Sequence, residues 1–132
     1  MLMRGLRRGS VGIGMTVQFT ILFAEDDTLV RNAVIELLRQ HGFRALVAED
    51  GYEAIRLLME HPVDLLFTDV VMPGISGFEL ARQAKLIRPD LRVLYMTGHA
   101  EQEARGLRYG KLLLKPLRAA EILAEICQAL AR

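Results

Sequence analysis

Val63-Asp64-Leu65-Leu66-Phe67-Thr68-Asp69, followed at once by Val70-Val71-Met72-Pro73-Gly74, is the stretch that decides the fold. Its apolar centre has no polar side, so both sides must be covered. A strand of that kind belongs in a parallel sheet with helices on both faces. It ends in a carboxylate, and Pro73-Gly74 marks a turn beyond it. Three other apolar runs end in the same manner. Ile21-Leu22-Phe23-Ala24 runs into Glu25-Asp26-Asp27, Leu91 to Met96 runs into Thr97, and Leu112-Leu113-Leu114 runs into Lys115-Pro116. As parallel strands, these runs bring their polar ends to one edge of the sheet, the edge where open α/β folds bind ligands. Carboxylates, a hydroxyl and a lysine gathered there point to divalent-cation and phosphoryl chemistry.

Outward from these runs, strand and helix patterns alternate. Phe19 to Ala24 reads as a buried strand. Thr28 to His41 reads as an amphipathic helix, with Leu29, Ala33, Val34, Leu37 and Leu38 near helical spacing and Gly42 as its stop. Phe43 to Ala48 is a second strand, Gly51 to His61 a second helix closed by Pro62, and Val63 to Thr68 the third strand. Phe78 to Ile87 forms a third helix that Pro89 ends, and Leu91 to Met96 is the fourth strand. Ala100 to Leu107 is a short helix weakened by Gly106. Lys111 to Leu114 is the fifth strand and Leu117 to Leu130 the last helix. The class is α/β, a doubly wound parallel sheet.

At 132 residues the chain reads as one domain with a sizeable core. Its net charge of +1 makes no case for nucleic-acid binding. Residues 1–17 hold Arg4, Arg7 and Arg8 among glycines, without a period, and read as a disordered basic head before a domain over 18–132. Without those three arginines, 14 basic residues face 16 acidic ones, a slightly acidic body. Cys127 is the single cysteine, so no internal disulfide forms and a reducing compartment is expected. No apolar run approaches a membrane span, and the head lacks the apolar core of a signal peptide. The expected location is the cytoplasm, with neither membrane nor nucleic acid as partner.

Glu25-Asp26, Asp69 with Val70-Val71-Met72-Pro73-Gly74, Met96-Thr97-Gly98 and Lys115-Pro116 resemble the receiver domain of two-component response regulators. Each motif alone is weak, but four in order, each at the end of an apolar strand, are highly specific. The resemblance covers Phe19 to the C-terminus. It implies a flavodoxin-like sheet of order 2-1-3-4-5, here with a shortened fourth helix. In that order the first and third strands are neighbours, about 4.8 Å apart, so Glu25, Asp26 and Asp69 crowd together. Two unit charges about 5 Å apart repel by roughly 3 kcal/mol at an effective dielectric of about 20. A hard, oxygen-seeking ion such as Mg²⁺ relieves this.

Asp69 is the best nucleophile, because a carboxylate can accept a phosphoryl group covalently. Lys115 and Mg²⁺ would neutralise the phosphoryl oxygens, and the Thr97 hydroxyl would hydrogen-bond one of them. The resemblance also implies that Asp26 binds the metal directly, Glu25 largely through water, and the Val71 backbone carbonyl as the other protein ligand. It implies a cis bond at Lys115-Pro116. His99 and Val71 stand where the family tunes the lifetime of the phosphorylated state. Asp27 reads as a helix cap, and His41 and His61 as structural residues at helix ends. Three features depart from the common pattern. Leu112 occupies the switch position where most receivers carry Tyr or Phe, Val71 is apolar where polar residues are frequent, and the segment between Thr97 and Lys115 is short by about one helical turn.

The expected function is that of a stand-alone receiver. A sensor histidine kinase or a histidine phosphotransfer protein phosphorylates Asp69, and the product binds an unknown downstream protein. It is not an enzyme beyond its own phosphorylation and dephosphorylation. Two alternatives use the same residues. One is a phosphate-independent binding module with a vestigial site, which Leu112 and the short fourth helix would suit. The other is a Mg²⁺-dependent aspartyl phosphohydrolase, which lacks a second acid where Val71 stands.

Overall fold

Consecutive side chains of a strand point to opposite faces of a sheet, and here that alternation feeds two separate cores. The computed structural model describes residues 18–99 and 108–131. Along them run β1 (Thr20–Ala24), α1 (Thr28–Gln40), β2 (Arg44–Ala48), α2 (Gly51–Glu60), β3 (Leu65–Asp69), α3 (Gly77–Ile87), β4 (Arg92–Thr97), β5 (Gly110–Leu114) and α4 (Ala119–Ala131). The sheet has the order β2-β1-β3-β4-β5, with every pairing parallel. On one face Ile21, Phe23, Leu65, Phe67, Leu94, Met96 and Leu113 pack with Val34, Ile35 and Leu38 of α1 and Ile122, Ile126 and Leu130 of α4. On the other, Leu22, Leu66, Val93, Tyr95 and Leu112 meet Ala54 and Leu58 of α2 and Leu80, Ala81 and Ala84 of α3. This is the doubly wound α/β arrangement expected from the apolar runs.

Local chemistry sets where the helices start. The Asp27 carboxylate accepts from the backbone N–H groups of Leu29 (2.9 Å) and Val30 (3.2 Å), Asp50 accepts from Glu53 (2.9 Å), and Ser76 from Glu79 (3.1 Å). Each satisfies a donor that a helix N-terminus leaves open. Gly42 follows α1 at φ 87°, a left-handed stop that suits glycine.

Two strands run one residue further than their apolar stretches. Asp69 closes β3 opposite Met96, and Thr97 closes β4 opposite Leu114. The ladder needs only backbone groups, so a polar side chain does not end it: the Val70 N–H donates to Met96 O at 3.0 Å. The predicted disordered head and the predicted short fourth helix lie outside the described residues. No helix among those described is long and apolar enough to cross a membrane.

Phe67 lies at the centre of the sheet, fully buried, its ring 5.0 Å from that of Phe23. Truncation leaves a cavity that the flanking strands cannot collapse into. Phe67→Ala is expected to lower unfolding stability by about 3–5 kcal/mol, read from the urea midpoint; a change within about 0.5 kcal/mol, the size of a typical surface effect, contradicts this account of the core.

Candidate functional site

The same alternation that builds the core aims the polar ends. Glu25 continues the phase of Ile21 and Phe23, Asp69 that of Leu65 and Phe67, and Lys115 that of Leu113. All three therefore leave the sheet on the α1/α4 face. Ala24 pairs with Thr68, so one further step sets Glu25 beside Asp69. β5 is held alongside by the Lys115 N–H, which donates to Thr97 O at 2.8 Å.

Glu25, Asp26 and Asp69 each offer a carboxylate oxygen, and these atoms lie within 4.8 Å of one another. Glu25 and Asp69 are buried, at 1% and 6% exposure, while Asp26 faces solvent. The Lys115 ammonium donates to Glu25 Oε1 at 3.1 Å and to Asp69 Oδ2 at 3.2 Å. The second oxygen of Glu25 accepts from the Asp27 N–H at 3.2 Å, and Asp69 Oδ1 from the Val71 N–H at 3.4 Å. Thr97 is fully buried. Its hydroxyl accepts from the His99 N–H at 3.1 Å, which leaves the hydroxyl proton to donate. His99 and Val71 are exposed at the rim. The Lys115-Pro116 bond is cis. Leu112 is buried, opposite Tyr95 in the β4–β5 register, and the Tyr95 ring meets Phe78 edge-on at 5.1 Å.

Burial pushes the Glu25 carboxyl up from about 4.5 to about 7, with the charge of Asp69 adding to it; the Asp27 N–H and Lys115 pull the other way. Burial lowers the Lys115 ammonium, but its bond to Glu25 and the charges of Asp69 and Glu25 outweigh that, and the net shift is upward. Three carboxylates with oxygen donors only, around one ammonium, suit a hard divalent cation and no softer metal. A cation there would offset the repulsion between the Glu25 and Asp69 carboxylates.

Two contributors were not visible in the sequence reading. Arg31 donates from Nη1 to the backbone oxygens of Glu25 (2.9 Å) and Asp26 (3.3 Å), bracing the loop that carries both acids. Its signal was a cation in the first turn of α1, where the helix dipole disfavours one. Gly77 is the second. A Cβ there would lie 2.1 Å from Asp69 O and 2.9 Å from Val70 Cα, so only glycine lets α3 start against the end of β3.

The family model of the response regulator receiver domain matches residues 21–127. The chain belongs to the response regulator receiver family. This receiver is 37% identical over 110 residues to the response regulator receiver protein CpdR of Brucella abortus (strain 2308), a match covering 80% of this chain and 92% of CpdR. It is 32% identical over 117 residues to the transcriptional regulatory protein CreB of Escherichia coli (strain K12), covering 86% of this chain and 51% of CreB. The receiver thus spans most of CpdR and about half the length of CreB. Among solved structures, the receiver domain of the hybrid histidine kinase CckA is 33% identical with a TM-score of 0.72, over 86% of this chain and 99% of that one. A response regulator receiver protein from Sinorhizobium medicae WSM419 has a TM-score of 0.79 at 28% identity, over 86% and 94%.

A raised Glu25 pKa has a defined sign. The folded state holds that proton more tightly than the unfolded chain, so Glu25 contributes stability in full below about pH 4.5 and loses it as pH rises through about 7. In the absence of divalent cations, the stability of the wild type relative to Glu25→Gln is expected to fall across that window. Urea midpoints of both proteins, measured at several pH values in chelator, check this; a constant gap contradicts it.

Proposed function

We propose that this receiver accepts a phosphoryl group on Asp69, with Mg²⁺ bound at Glu25, Asp26 and Asp69, and signals by altered protein contact. One observation carries the reading: the Lys115 ammonium spans Glu25 and Asp69 at the mouth of an all-oxygen carboxylate cluster. Receiver domains bind Mg²⁺ at an acidic site. The Val71 backbone carbonyl is the further protein ligand in this reading. When bound, Mg²⁺ neutralises phosphoryl oxygens and orients the donor.

The chain's own groups do the rest. A carboxylate oxygen of Asp69 attacks the phosphorus of a phosphohistidine on a sensor kinase or a histidine phosphotransfer protein. An O–P bond forms, the P–N bond breaks, and the departing imidazole nitrogen takes up a proton. As the phosphoryl group arrives, Lys115 exchanges its contact with Asp69 for one with a phosphoryl oxygen. Thr97 donates its hydroxyl proton to another. Hydrolysis later returns phosphate and the free carboxylate. His99 and Val71 flank the path of that water. The apolar, half-exposed Val71 offers it no hydrogen bond, and His99 tunes access from the other side.

The family is a signalling one, and we infer that this member turns over no external phosphomonoester, because Val71 stands where a second acid would be needed. We infer a cytoplasmic location from the proposed kinase partners; the single thiol, Cys127, is buried and pushed up in pKa by that burial. With Leu112 at the switch position already buried against Tyr95, read-out proceeds without an aromatic swing at β5.

Asp69→Asn is expected to abolish acid-labile phosphorylation from acetyl phosphate with Mg²⁺ while preserving the circular dichroism spectrum. Labelling at the wild-type level would refute the assignment. Sustained release of phosphate from a generic phosphomonoester by the wild type would instead favour the hydrolase reading.

A further inference from the structure

The loop between β3 and α3 is clasped by the first turn of α2, in a reciprocal exchange of bulk against glycine. The loop closes on itself, because the Gly77 N–H donates to Val70 O at 2.8 Å. At its tip, Gly74 has φ 82°, and a Cβ added there would lie 2.8 Å from Cε2 of the Tyr52 ring. Beside it, a Cβ added at Gly51 would lie 2.3 Å from Cγ1 of Ile75 and 2.6 Å from its Cδ1. Each segment thus sets one large side chain on the other's glycine. Tyr52 is 61% exposed, so its ring contributes little to the core. Its described close neighbour is the loop that carries Val71 and follows directly on Asp69.

We propose that Tyr52 is a positioning residue: its ring, seated on Gly74, holds the β3–α3 loop so that the Val71 carbonyl and Asp69 face the cation. The inference rests on the proposed Mg²⁺ site and extends it to a helix that supplies no ligand. The loop is anchored at its base by Gly77 and Val70, and its tip touches α2 through Gly74 and Ile75. Without the ring, the tip loses one of its two clasps, and the carbonyl between base and tip samples a wider range of positions. Groups that orient metal ligands from outside commonly change affinity by 10-fold or more. The contact is made by ring carbons, not by the hydroxyl, so phenylalanine should serve as well as tyrosine.

Mg²⁺ titration of the full chain by calorimetry tests this, together with amide exchange of Val71, Met72, Gly74 and Ile75 and the metal-free thermal midpoint. Tyr52→Ala is expected to weaken Mg²⁺ binding about 10-fold and speed exchange in the loop, with the metal-free midpoint near wild type. Tyr52→Phe restores affinity. Met59→Ala, a change at another exposed residue at the far end of α2, alters neither Mg²⁺ affinity nor loop exchange. Equal Mg²⁺ affinity in Tyr52→Ala and wild type overturns the positioning role while leaving the cation site standing. A loss matched by an equal loss of metal-free stability, which phenylalanine fails to restore, overturns it as well. No Mg²⁺ binding by the wild type overturns the cation site itself, and the inference with it.

Discussion

Two carboxylates on one face of adjacent parallel strands, one alternation past the paired Phe23 and Phe67, repel each other in a place that water barely reaches. Glu25 and Asp69 are in that position, and the ammonium of Lys115 is the internal charge that answers both. It comes from β5, with β4 lying between it and β3. A shorter cation would not span that distance, whereas the four-carbon stem of lysine does. Buried ion pairs are poor sources of net stability but costly to break, because removing one partner strands the other. Much of the surrounding structure can be understood as holding these three groups where they are.

The two cores serve that end differently. The α1/α4 core continues directly into the site, since Phe23, Phe67 and Leu113 lie one alternation below Glu25, Asp69 and Lys115. Tight packing beneath therefore fixes the height and direction of the charges above. The α2/α3 core acts through the loop after β3, which Gly77 lets approach the strand end and which Tyr52 and Ile75 hold at its tip. Arg31 ties down the remaining loop by its backbone oxygens. Strand ends, a closed loop and a braced loop converge on one small volume, leaving the exposed Asp26 as the solvent-facing member of the acidic cluster.

One departure from the common receiver pattern, Leu112, lies on the opposite face of the sheet from this charge cluster. Leu112 fills its place beneath β5 opposite Tyr95, whose ring is fully buried and packed on Phe78. Burial pushes the Tyr95 phenol well above its ordinary range. The aromatic bulk near Thr97 is thus supplied from β4, where the strand holds it, and not from β5. A leucine has no hydroxyl to carry between a buried and an exposed partner.

Strand and helix placement was legible in the sequence because it depends on local pattern: apolar runs too short for helices, a cap at Asp27, and Gly42, Pro62 and Pro89 behind the first three helices. The identities of Glu25, Asp26, Asp69, Thr97 and Lys115 were legible for a related reason, since each follows an apolar run that has to be a strand. What the pattern could not contain were contacts between segments far apart in the chain. Arg31 on backbone oxygens, Gly77 against Asp69, and Tyr52 on Gly74 have no period and no motif of their own; they exist because the sheet order brings those segments together. Sequence alone determined which residues end the strands. Only the tertiary structure decided how they meet, because the distance between two strand ends depends on which strands are neighbours and which face each side chain leaves.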